Sequence, residues 1–368
     1  MRTILLISPY WKEPHRWMAS SLKLAELWQK LGYRVVVACM GSETKIQVVS
    51  PTLTIHFKKD VFLPDPLNFG ICLGFGGLVR RLIREEKPDL IVYNKILFWT
   101  SFSLPWLRLL GHRVTLLTDA LVGMTWWPRS RFVGWIMAAG AWTVGWAVML
   151  SAERMVFFHP QPERLLKRLG VAGKSRVIPQ GIDPAGFGPT AARGADGKVV
   201  VTYVGRLESV KGADDFAAAV APLKKQFPEL VVRVAGWYKP GHPLVEEYQD
   251  RIEFLGLRDD VPAVLGGSDI FVMPSYSEGL SNAIMEAMAS DCAVVASEVG
   301  GNRYLVENGI TGLLFEPGDR AALQAHIRRL LEDPNKRRRM GEAARGKIEK
   351  EFSWEVVGKR YEELFEEK

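Results

Sequence analysis

Short apolar runs alternate along the chain with longer segments in which apolar residues recur every three or four positions. The apolar run at 3–8 is followed by a helical pattern at 18–31, and further apolar runs lie at 34–39, 231–235 and 270–273. Strands that alternate with amphipathic helices form parallel sheets with helices on both faces. Because the alternation occurs in both halves of the chain, it predicts an α/β fold with two doubly wound domains.

The length of the chain fits two such domains. Its 368 residues are more than a domain with a single hydrophobic core usually contains, and they suit two domains of about 150–190 residues each. A link rich in glycine and proline lies at 179–189, so we expect a first domain at 1–182 and a second at 183–353. Ligands of such sheets bind beyond the carboxyl ends of the strands, which predicts an active site in a cleft between two facing sheets.

Two carboxylates flank the predicted start of one helix. An apolar strand at 270–273 leads through a polar turn to good helix formers, so that Glu278 lies in the turn and Glu286 inside the helix. A lone acid here would serve the helix dipole, but unpaired backbone N–H groups at a helix start also bind phosphate. The segment is therefore interpreted as a nucleotide-binding turn. Its candidate contacts are Glu278, Gly279, Leu280, Ser281, Asn282 and Glu286.

A second strand-to-helix turn, upstream, combines two cations with two glycines. A β-branched run at 198–203 precedes Gly205, Arg206, Lys211 and Gly212. The glycines allow backbone to approach a ligand closely, the arginine offers a rigid fork of donors, and the lysine offers a point charge. These residue types at this spacing suit a diphosphate.

A glycine pair, Gly300 and Gly301, follows a third apolar run at 293–297 and can bring backbone close to a ligand. In this order and spacing, the three segments resemble the retaining, nucleotide-sugar-dependent glycosyltransferases of family 4. The resemblance covers residues 177–361. It implies the GT-B fold, with two Rossmann-like domains facing across a cleft, and a last helix at 354–368 that crosses back onto the first, acceptor-binding domain.

The resemblance also implies roles for residues of the second, donor-binding domain. Residues matching Arg206 and Lys211 hold the donor diphosphate in the family, the residue matching Glu278 faces the donor sugar, and the one matching Glu286 binds the ribose hydroxyls. Backbone groups of the two residues after Glu278 contact the donor. The loop that contains Leu257 is expected to meet the base through its backbone.

The reaction that follows is transfer of a hexosyl group from a UDP- or GDP-sugar to an acceptor hydroxyl, and the resemblance favours retention at the anomeric carbon. Negative charge develops on the leaving diphosphate, so fixed cations stabilise the transition state. Arg206 and Lys211 supply them and Glu278 offsets positive charge on the sugar. No cluster of Asp or His has the spacing of a divalent metal site, and we expect no metal and no cofactor beyond the nucleotide sugar as co-substrate.

Charge is divided unevenly between the two halves. Residues 1–190 carry 24 Lys and Arg against 12 Asp and Glu, whereas residues 191–368 carry 24 against 29. The basic excess belongs to the expected acceptor domain, which implies an anionic acceptor, an anionic membrane surface, or both. The basic residues are scattered and no nucleic-acid motif accompanies them, so nucleic acid is not an expected partner.

One long apolar segment, at 132–150, has nineteen residues without a charge and several tryptophans. Its length suits a membrane span, but it also suits a buried core helix, or a helix whose Trp and Leu side chains enter the headgroup region beside Arg129 and Arg131. The last reading predicts a lipid-linked glycan acceptor. Three cysteines without metal-ligand spacing fit a reducing cytoplasm, so we expect a cytoplasmic protein, peripheral at the inner face of the membrane.

The acceptor half departs from the family pattern. The loop after the first strand has no glycine pair and contains Lys12 and His15, and a histidine that many members carry after the fourth-strand region is replaced by a segment whose nearest polar residue is Asp119. Lys12, His15, Asp119 and Trp126 are the acceptor-side candidates, and Asp119 is also a candidate for the reaction centre.

Other functions stay open at this point. A glycosyltransferase could act on a soluble sugar acceptor, and an epimerase of the same fold would need only the donor site. A glycan phosphorylase would need a pyridoxal phosphate lysine, for which no distinctive context exists. A nucleotide-binding protein without transferase activity could keep Glu286 and lose the diphosphate cations, but this chain has both Arg206 and Lys211.

Overall fold

The computed structural model of the protein describes residues 1–13, 16–17, 19–63, 69–125, 127, 131–190, 193 and 197–367. The chain forms two compact units, Met1–Gly181 with Trp354–Lys368 and Ile182–Ser353, here called the first and second unit. The expected division between 182 and 183 lies one residue from this one. Each unit is an α/β structure built on a parallel sheet.

The first unit consists of a largely parallel sheet with helices between its strands. Its strands are β1 (Thr3–Ser8), β2 (Lys12–Glu13), β3 (Arg16–Trp17), β4 (Arg34–Gly41), β5 (Lys45–Ser50), β6 (Leu53–Lys59), β7 (Val61–Leu63), β8 (Phe69–Ile71), β9 (Leu90–Asn94), β10 (Val114–Thr118), β11 (Arg154–Phe157) and β12 (Ser175–Val177). Its helices before residue 181 are α1 (Ala19–Lys30), α2 (Phe75–Glu86), α3 (Leu104–Leu109), α4 (Arg131–Gly140), α5 (Trp146–Ser151) and α6 (Glu163–Arg168).

The main sheet of the first unit has the order β12-β11-β10-β9-β1-β4-β6-β5. Neighbouring strands are parallel except β5, which is antiparallel to β6 at the edge. The central strand β1 is fully buried from Ile4 to Ile7, as strands covered on both faces by helices must be. The direction of strand addition reverses between β1 and β9, which is the position where such sheets bind ligands.

The second unit contains a fully parallel sheet of order β15-β14-β13-β16-β17-β18. These strands are β13 (Val199–Val204), β14 (Leu230–Ala235), β15 (Glu253–Gly256), β16 (Ile270–Met273), β17 (Ala293–Ser297) and β18 (Gly312–Phe315). The helices of the unit are α7 (Ala213–Gln226), α8 (Pro243–Tyr248), α9 (Val261–Gly266), α10 (Asn282–Ala289), α11 (Asn302–Leu305), α12 (Arg320–Glu332) and α13 (Pro334–Lys347). In chain order the strands run 3-2-1-4-5-6, the Rossmann arrangement.

The final helix, α14 (Trp354–Glu366), belongs to the first unit. Tyr361 is fully buried there, with its ring 5.8 Å from that of Trp28 on α1, and Phe365 lies 5.9 Å from the rings of Trp28 and Tyr33. Edge-to-face aromatic contacts of this kind add to the stabilisation from burial. The expected crossover of the last helix onto the first domain corresponds to this position.

Several predicted elements shift only at their ends. The helix expected at 18–31 is Ala19–Lys30, the strand expected at 34–39 continues to Gly41, and the strand at 270–273 is as expected. The prediction of an α/β fold with two doubly wound domains is therefore confirmed. The repeated alternation of strand and helix patterns carried it.

Candidate active site

The candidate site lies between β13 and β16, where the direction in which successive strands are added to the sheet of the second unit reverses. These strands are neighbours and parallel, so the loops that follow them start at the same edge of the sheet. The loop after β13 contains Gly205, Arg206 and Lys211, and the loop after β16 contains Glu278. The two turns that the sequence singles out therefore meet at the ligand-binding edge.

Lys211 and Glu278 form an ion pair across the two loops. The Lys211 Nζ lies 2.8 Å from Glu278 Oε1, and Ser275 Oγ donates to the same oxygen at 2.7 Å. The Glu278 side chain is 9% exposed and that of Lys211 is 25% exposed. The N–H of Tyr276 donates to the carbonyl of Val210 at 2.8 Å, which joins the loops through their backbones as well.

Glycines fix how closely the loops approach each other. Gly212 has φ +69°, and a Cβ at this position would lie 2.1 Å from the Pro274 carbonyl oxygen. Gly301 donates its N–H to the Gly279 carbonyl at 2.9 Å, and a Cβ on Gly301 would lie 2.4 Å from that oxygen. A Cβ on Gly300 would lie 2.0 Å from the Glu278 carbonyl oxygen. The glycine pair that was expected to approach a ligand thus approaches the backbone of the Glu278 loop.

The start of α10 presents backbone donors beside this ion pair. Ser281 is the cap, its Oγ accepting from the N–H of Ile284 at 3.4 Å, whereas Asn282 is the first helical residue. Within the described ranges, the N–H groups of Gly279 and Leu280 have no hydrogen-bond acceptor. Unpaired donors at a helix start form an anion-binding position. Glu286 lies within α10, in its second turn.

Arg206 occupies a more exposed position than Lys211. Its side chain is 58% exposed and its guanidinium lies 2.7 Å from a carboxylate oxygen of Glu208. Its carbonyl accepts from Tyr203 Oη at 2.9 Å, so the backbone of Arg206 is anchored while its side chain is not. Burial, together with the nearby charge of Glu278, raises the pKa of Tyr203, which keeps this phenol protonated as a donor.

A network that the sequence analysis missed supports the loop after β16. Tyr276 Oη donates to Asp215 Oδ2 at 2.6 Å, and Arg320 Nε donates to Asp215 Oδ1 at 2.5 Å. Asp215 lies in the first turn of α7 and is buried. Two acids in a helical first turn normally indicate a favourable interaction with the helix dipole, so Asp215 cannot be distinguished from Asp214 by its position in the sequence.

Leu257 lies directly after β15, at the same edge of the sheet and two strands from β13, and its side chain is exposed. That its loop meets the base through backbone groups stays a prediction. Across the part of the chain that the structure describes, no group of three or more His, Cys, Asp or Glu side chains could hold a metal ion. Cys39, Cys72 and Cys292 are buried and form no disulfide bond.

The first unit holds a separate cluster at the carboxyl ends of β9, β10 and β11. Lys95 Nζ lies 2.6 Å from a carboxylate oxygen of Asp119, and His159 lies beside them. Burial would raise the pKa of Asp119, but the Lys95 ammonium outweighs it and holds that pKa below its usual value. Burial lowers the pKa of His159 against the opposing charge of Asp119. Lys95 and His159 were not singled out from the sequence.

The remaining acceptor-side candidates are placed less fully. Lys12 lies in β2 and is exposed. His15 and Trp126 lie outside the described residues.

A Rossmann-type sheet with a cationic, glycine-bounded turn and a helix start at its switch point is typical of nucleotide-binding α/β proteins. Comparisons with known proteins narrow this class. Residues 191–347 match the family described as Glycosyl transferases group 1, and residues 20–185 match Glycosyltransferase Family 4. The chain belongs to the GT-B glycosyltransferases of the family 4 type.

Individual relatives match parts of the chain. The glycogen synthase of Mycobacterium tuberculosis is 30% identical over 240 residues, which is 62% of this chain and 58% of that protein. The UDP-Gal:alpha-D-GlcNAc-diphosphoundecaprenol alpha-1,3-galactosyltransferase of Escherichia coli is 31% identical over 196 residues, 47% of this chain and 51% of that protein. The chain thus spans little more than half the length of these relatives.

A solved structure matches the whole chain in fold. The sucrose-phosphate synthase of Thermosynechococcus elongatus has a TM-score of 0.78 and 23% identity, covering 99% of this chain and 98% of that one. At this identity the match shows the fold alone.

Proposed function

We propose that the protein is a glycosyltransferase that moves a hexosyl group from a UDP- or GDP-sugar to an acceptor hydroxyl. The observation that carries this proposal is the meeting of Lys211 and Glu278, 2.8 Å apart, at the switch point of the second sheet. A cation and a carboxylate at this edge, beside two unpaired backbone N–H groups, suit the two ends of a sugar diphosphate. The diphosphate takes the cation and the N–H groups, and the sugar takes the carboxylate.

In this proposal, diphosphate binding requires Arg206 to exchange its partner, whereas Lys211 binds phosphate from its place beside Glu278. Arg206 is paired with Glu208 at an exposed position, and exposed ion pairs contribute only about 0–1 kcal/mol, so its guanidinium can turn to phosphate at small cost. Lys211 keeps its position because Glu278 and the loop backbones hold it. Both charges are therefore available at the leaving group, where negative charge grows in the transition state.

The transfer step breaks the bond between the anomeric carbon and the diphosphate oxygen and forms a bond from that carbon to the acceptor oxygen. The acceptor proton passes to the leaving diphosphate, so no separate base is needed. Attack on the face that the leaving group departs from gives retention. Glu278 orients donor hydroxyls and offsets positive charge on the sugar, and Glu286 binds the ribose. In this proposal the two cations replace a divalent metal, and no cofactor takes part.

We further propose that the acceptor is a membrane or lipid-linked glycan and that the protein acts at the cytoplasmic face of the membrane. The balance of +12 in residues 1–190 favours an anionic acceptor or surface. The name of the Escherichia coli relative specifies a diphosphoundecaprenol-linked acceptor. The glycogen synthase relative supports a soluble sugar acceptor as the second candidate.

A donor panel tests this function. Labelled UDP-, GDP- and ADP-sugars are incubated with the protein, with and without a membrane lipid extract, and both free nucleotide and labelled product are measured. We expect one UDP- or GDP-sugar to release nucleotide and to label the lipid fraction. Release with label in a soluble sugar would select the second acceptor class. Nucleotide binding without release from any donor would contradict transferase activity.

A further inference from the structure

A long helical segment of the first unit is apolar on its outward face. Helix α4, a π-helical turn at Ala141–Gly145 and helix α5 follow one another without a break from 131 to 151. Phe132 is 74% exposed and Trp135 is 79% exposed. The exposed large side chains that share the outward stripe are Phe132, Trp135, Ile136, Trp142, Trp146 and Leu150.

The opposite face of this helical segment is packed into the core. Val133 and Val148 are buried, and Met149 belongs with Val148 to the main core cluster of the first unit. Within the described chain, Phe132–Ser151 is one segment that is long and apolar enough to cross a membrane by length and composition. One face of the segment is packed into the core of the first unit, and spanning a bilayer would remove it from that core. We therefore expect the segment to lie along a surface rather than across a bilayer.

A neighbouring helix extends the outward apolar surface. Helix α3 packs against α5, and its Trp106 and Leu109 are exposed, Leu109 at 81%. We use "the apolar face" for these two residues together with the stripe of six on 131–151. Large exposed apolar side chains on two neighbouring helices are uncommon on a soluble monomer and indicate a place of interaction.

Basic side chains border the apolar face. The guanidinium carbon of Arg168 lies 5.0 Å from the ring centre of Trp142, and Trp146 Nε1 donates to the Leu169 carbonyl at 3.0 Å. These contacts place α6, which also carries Arg164 and Lys167, beside the stripe. Tryptophan next to cationic side chains is the composition that a lipid headgroup region favours, because the rings occupy the boundary and the cations pair with phosphates.

We propose that the apolar face is the surface by which the protein docks onto a bilayer that carries anionic headgroups. The proposal deepens the proposed function, because it rests on a lipid-linked acceptor and assigns the part of the first unit that meets the membrane. Phe132, Trp135 and Leu109 enter the headgroup and upper acyl region. Arg164, Lys167 and Arg168 remain at the phosphate level.

Vesicle flotation with the full chain tests the proposal. The probes are vesicles of phosphatidylcholine alone and of phosphatidylcholine with phosphatidylglycerol. We expect binding to the anionic vesicles that weakens at high salt. The triple variant Phe132→Gln, Trp135→Gln, Leu109→Gln should lose at least tenfold in partition coefficient. It should remain folded, because all three side chains are largely exposed.

A matched control uses the same substitution at other exposed apolar residues of the first unit. Ile46, Val48 and Leu73 are exposed and lie on or beside other elements. Their triple Gln variant should bind vesicles as the unchanged protein does. Replacing Arg164 and Lys167 by Gln should reduce the preference for anionic vesicles, because Arg168 alone of the three bordering cations remains.

Three results would overturn the proposal. One is no vesicle binding by the unchanged protein, and another is equal binding by both triple variants. The third is that the unchanged protein does not bind vesicles and self-associates in sedimentation, whereas the first triple variant is monomeric. That result would make the apolar face an interface between copies. UDP or GDP binding, measured on the same samples, separates the docking surface from the proposed function. Nucleotide binding without vesicle binding contradicts only the docking surface. Vesicle binding without nucleotide binding contradicts the proposed function.

Discussion

Lys211 is held in place by its ion pair with Glu278, and the proposed action on a leaving diphosphate requires such a fixed cation. Its ammonium contacts a carboxylate that is 9% exposed, and removing one partner of such a pair leaves a poorly solvated charge. The second cation of the site, Arg206, is exposed. Its guanidinium pairs with Glu208 at the surface, and its backbone carbonyl accepts from Tyr203. The two cations therefore differ in kind, with one fixed by the protein and one free to adapt to the ligand.

Cys292 is a second residue whose burial has a measurable consequence. Burial raises the pKa of its thiol from 9.0 to about 12. A raised folded pKa means that the stability contribution is complete below pH 9 and declines as the pH rises toward 12. The decline approaches about 1.4 kcal/mol per pH unit in that range.

We expect the free energy of unfolding to fall more steeply between pH 9 and 10.5 in the unchanged protein than in Cys292→Ala. Denaturant unfolding at several pH values measures both slopes. The alanine variant forms a small cavity, so only the pH slopes are compared, not the absolute stabilities. Identical slopes would contradict the burial-driven shift.

At this scale the sequence identified the charged groups and missed their partners. Glu278 and Lys211 follow strands with turn residues around them, which is visible in the sequence, but their mutual contact depends on β13 and β16 being neighbours. Lys95 was missed because a single lysine after a strand has no distinctive pattern, and it gains meaning only through Asp119 on the next strand.

Among the elements, the turn after β17 contacts the Glu278 loop through its backbone, because the Gly301 N–H donates to the Gly279 carbonyl at 2.9 Å. Gly301 has an ordinary backbone conformation, and a Cβ there would lie 2.4 Å from the Gly279 carbonyl oxygen and 3.0 Å from Leu280 Cα. A methyl group at this position must displace the segment 278–280. Forced displacements of packed backbone cost about 1–3 kcal/mol.

Gly301→Ala should therefore weaken UDP or GDP binding by at least tenfold while the protein remains folded. Calorimetric titration measures the affinity, and circular dichroism confirms the fold. Gly346→Ala is the matched control, because Gly346 lies in α13 with open space around the added Cβ. Unchanged affinity in Gly301→Ala would contradict the role given to this turn.

For the segment 131–151, the sequence predicts a helix but not which of its faces is buried. Residues on both faces are apolar, so the hydrophobic periodicity does not distinguish the covered face from the exposed one. The structure separates Val148, which is buried, from Trp135, which is exposed. Only the position of the helix against the sheet of the first unit supplies that difference.

At the scale of the whole molecule, the two-domain α/β fold was predictable because strand and helix patterns repeat in both halves. The boundary between the two units, between Gly181 and Ile182, lies within the glycine- and proline-rich link at 179–189. The membership of α14 in the first unit was not readable from pattern and came from the family resemblance alone. Its cause is the aromatic contact of Tyr361 with Trp28.

We propose that the second unit holds the donor site and that the apolar face of the first unit docks onto the membrane. In the proposed donor site, the switch-point cation Lys211 stabilises a leaving nucleoside diphosphate. Transfer activity distinguishes this proposal from a binding protein without catalysis. Loss of that activity in a folded Lys211 variant distinguishes it from a structural role for Lys211.

The most direct test is the rate of labelled-sugar transfer from the cognate donor by the unchanged protein, Lys211→Ala and Lys225→Ala. Lys225 is an exposed lysine in the last turn of α7 and serves as the control. Loss of a fixed transition-state charge is expected to lower kcat by about a hundredfold or more in Lys211→Ala, with a smaller change in KM. Near-normal turnover by folded Lys211→Ala would contradict the assignment of the diphosphate site.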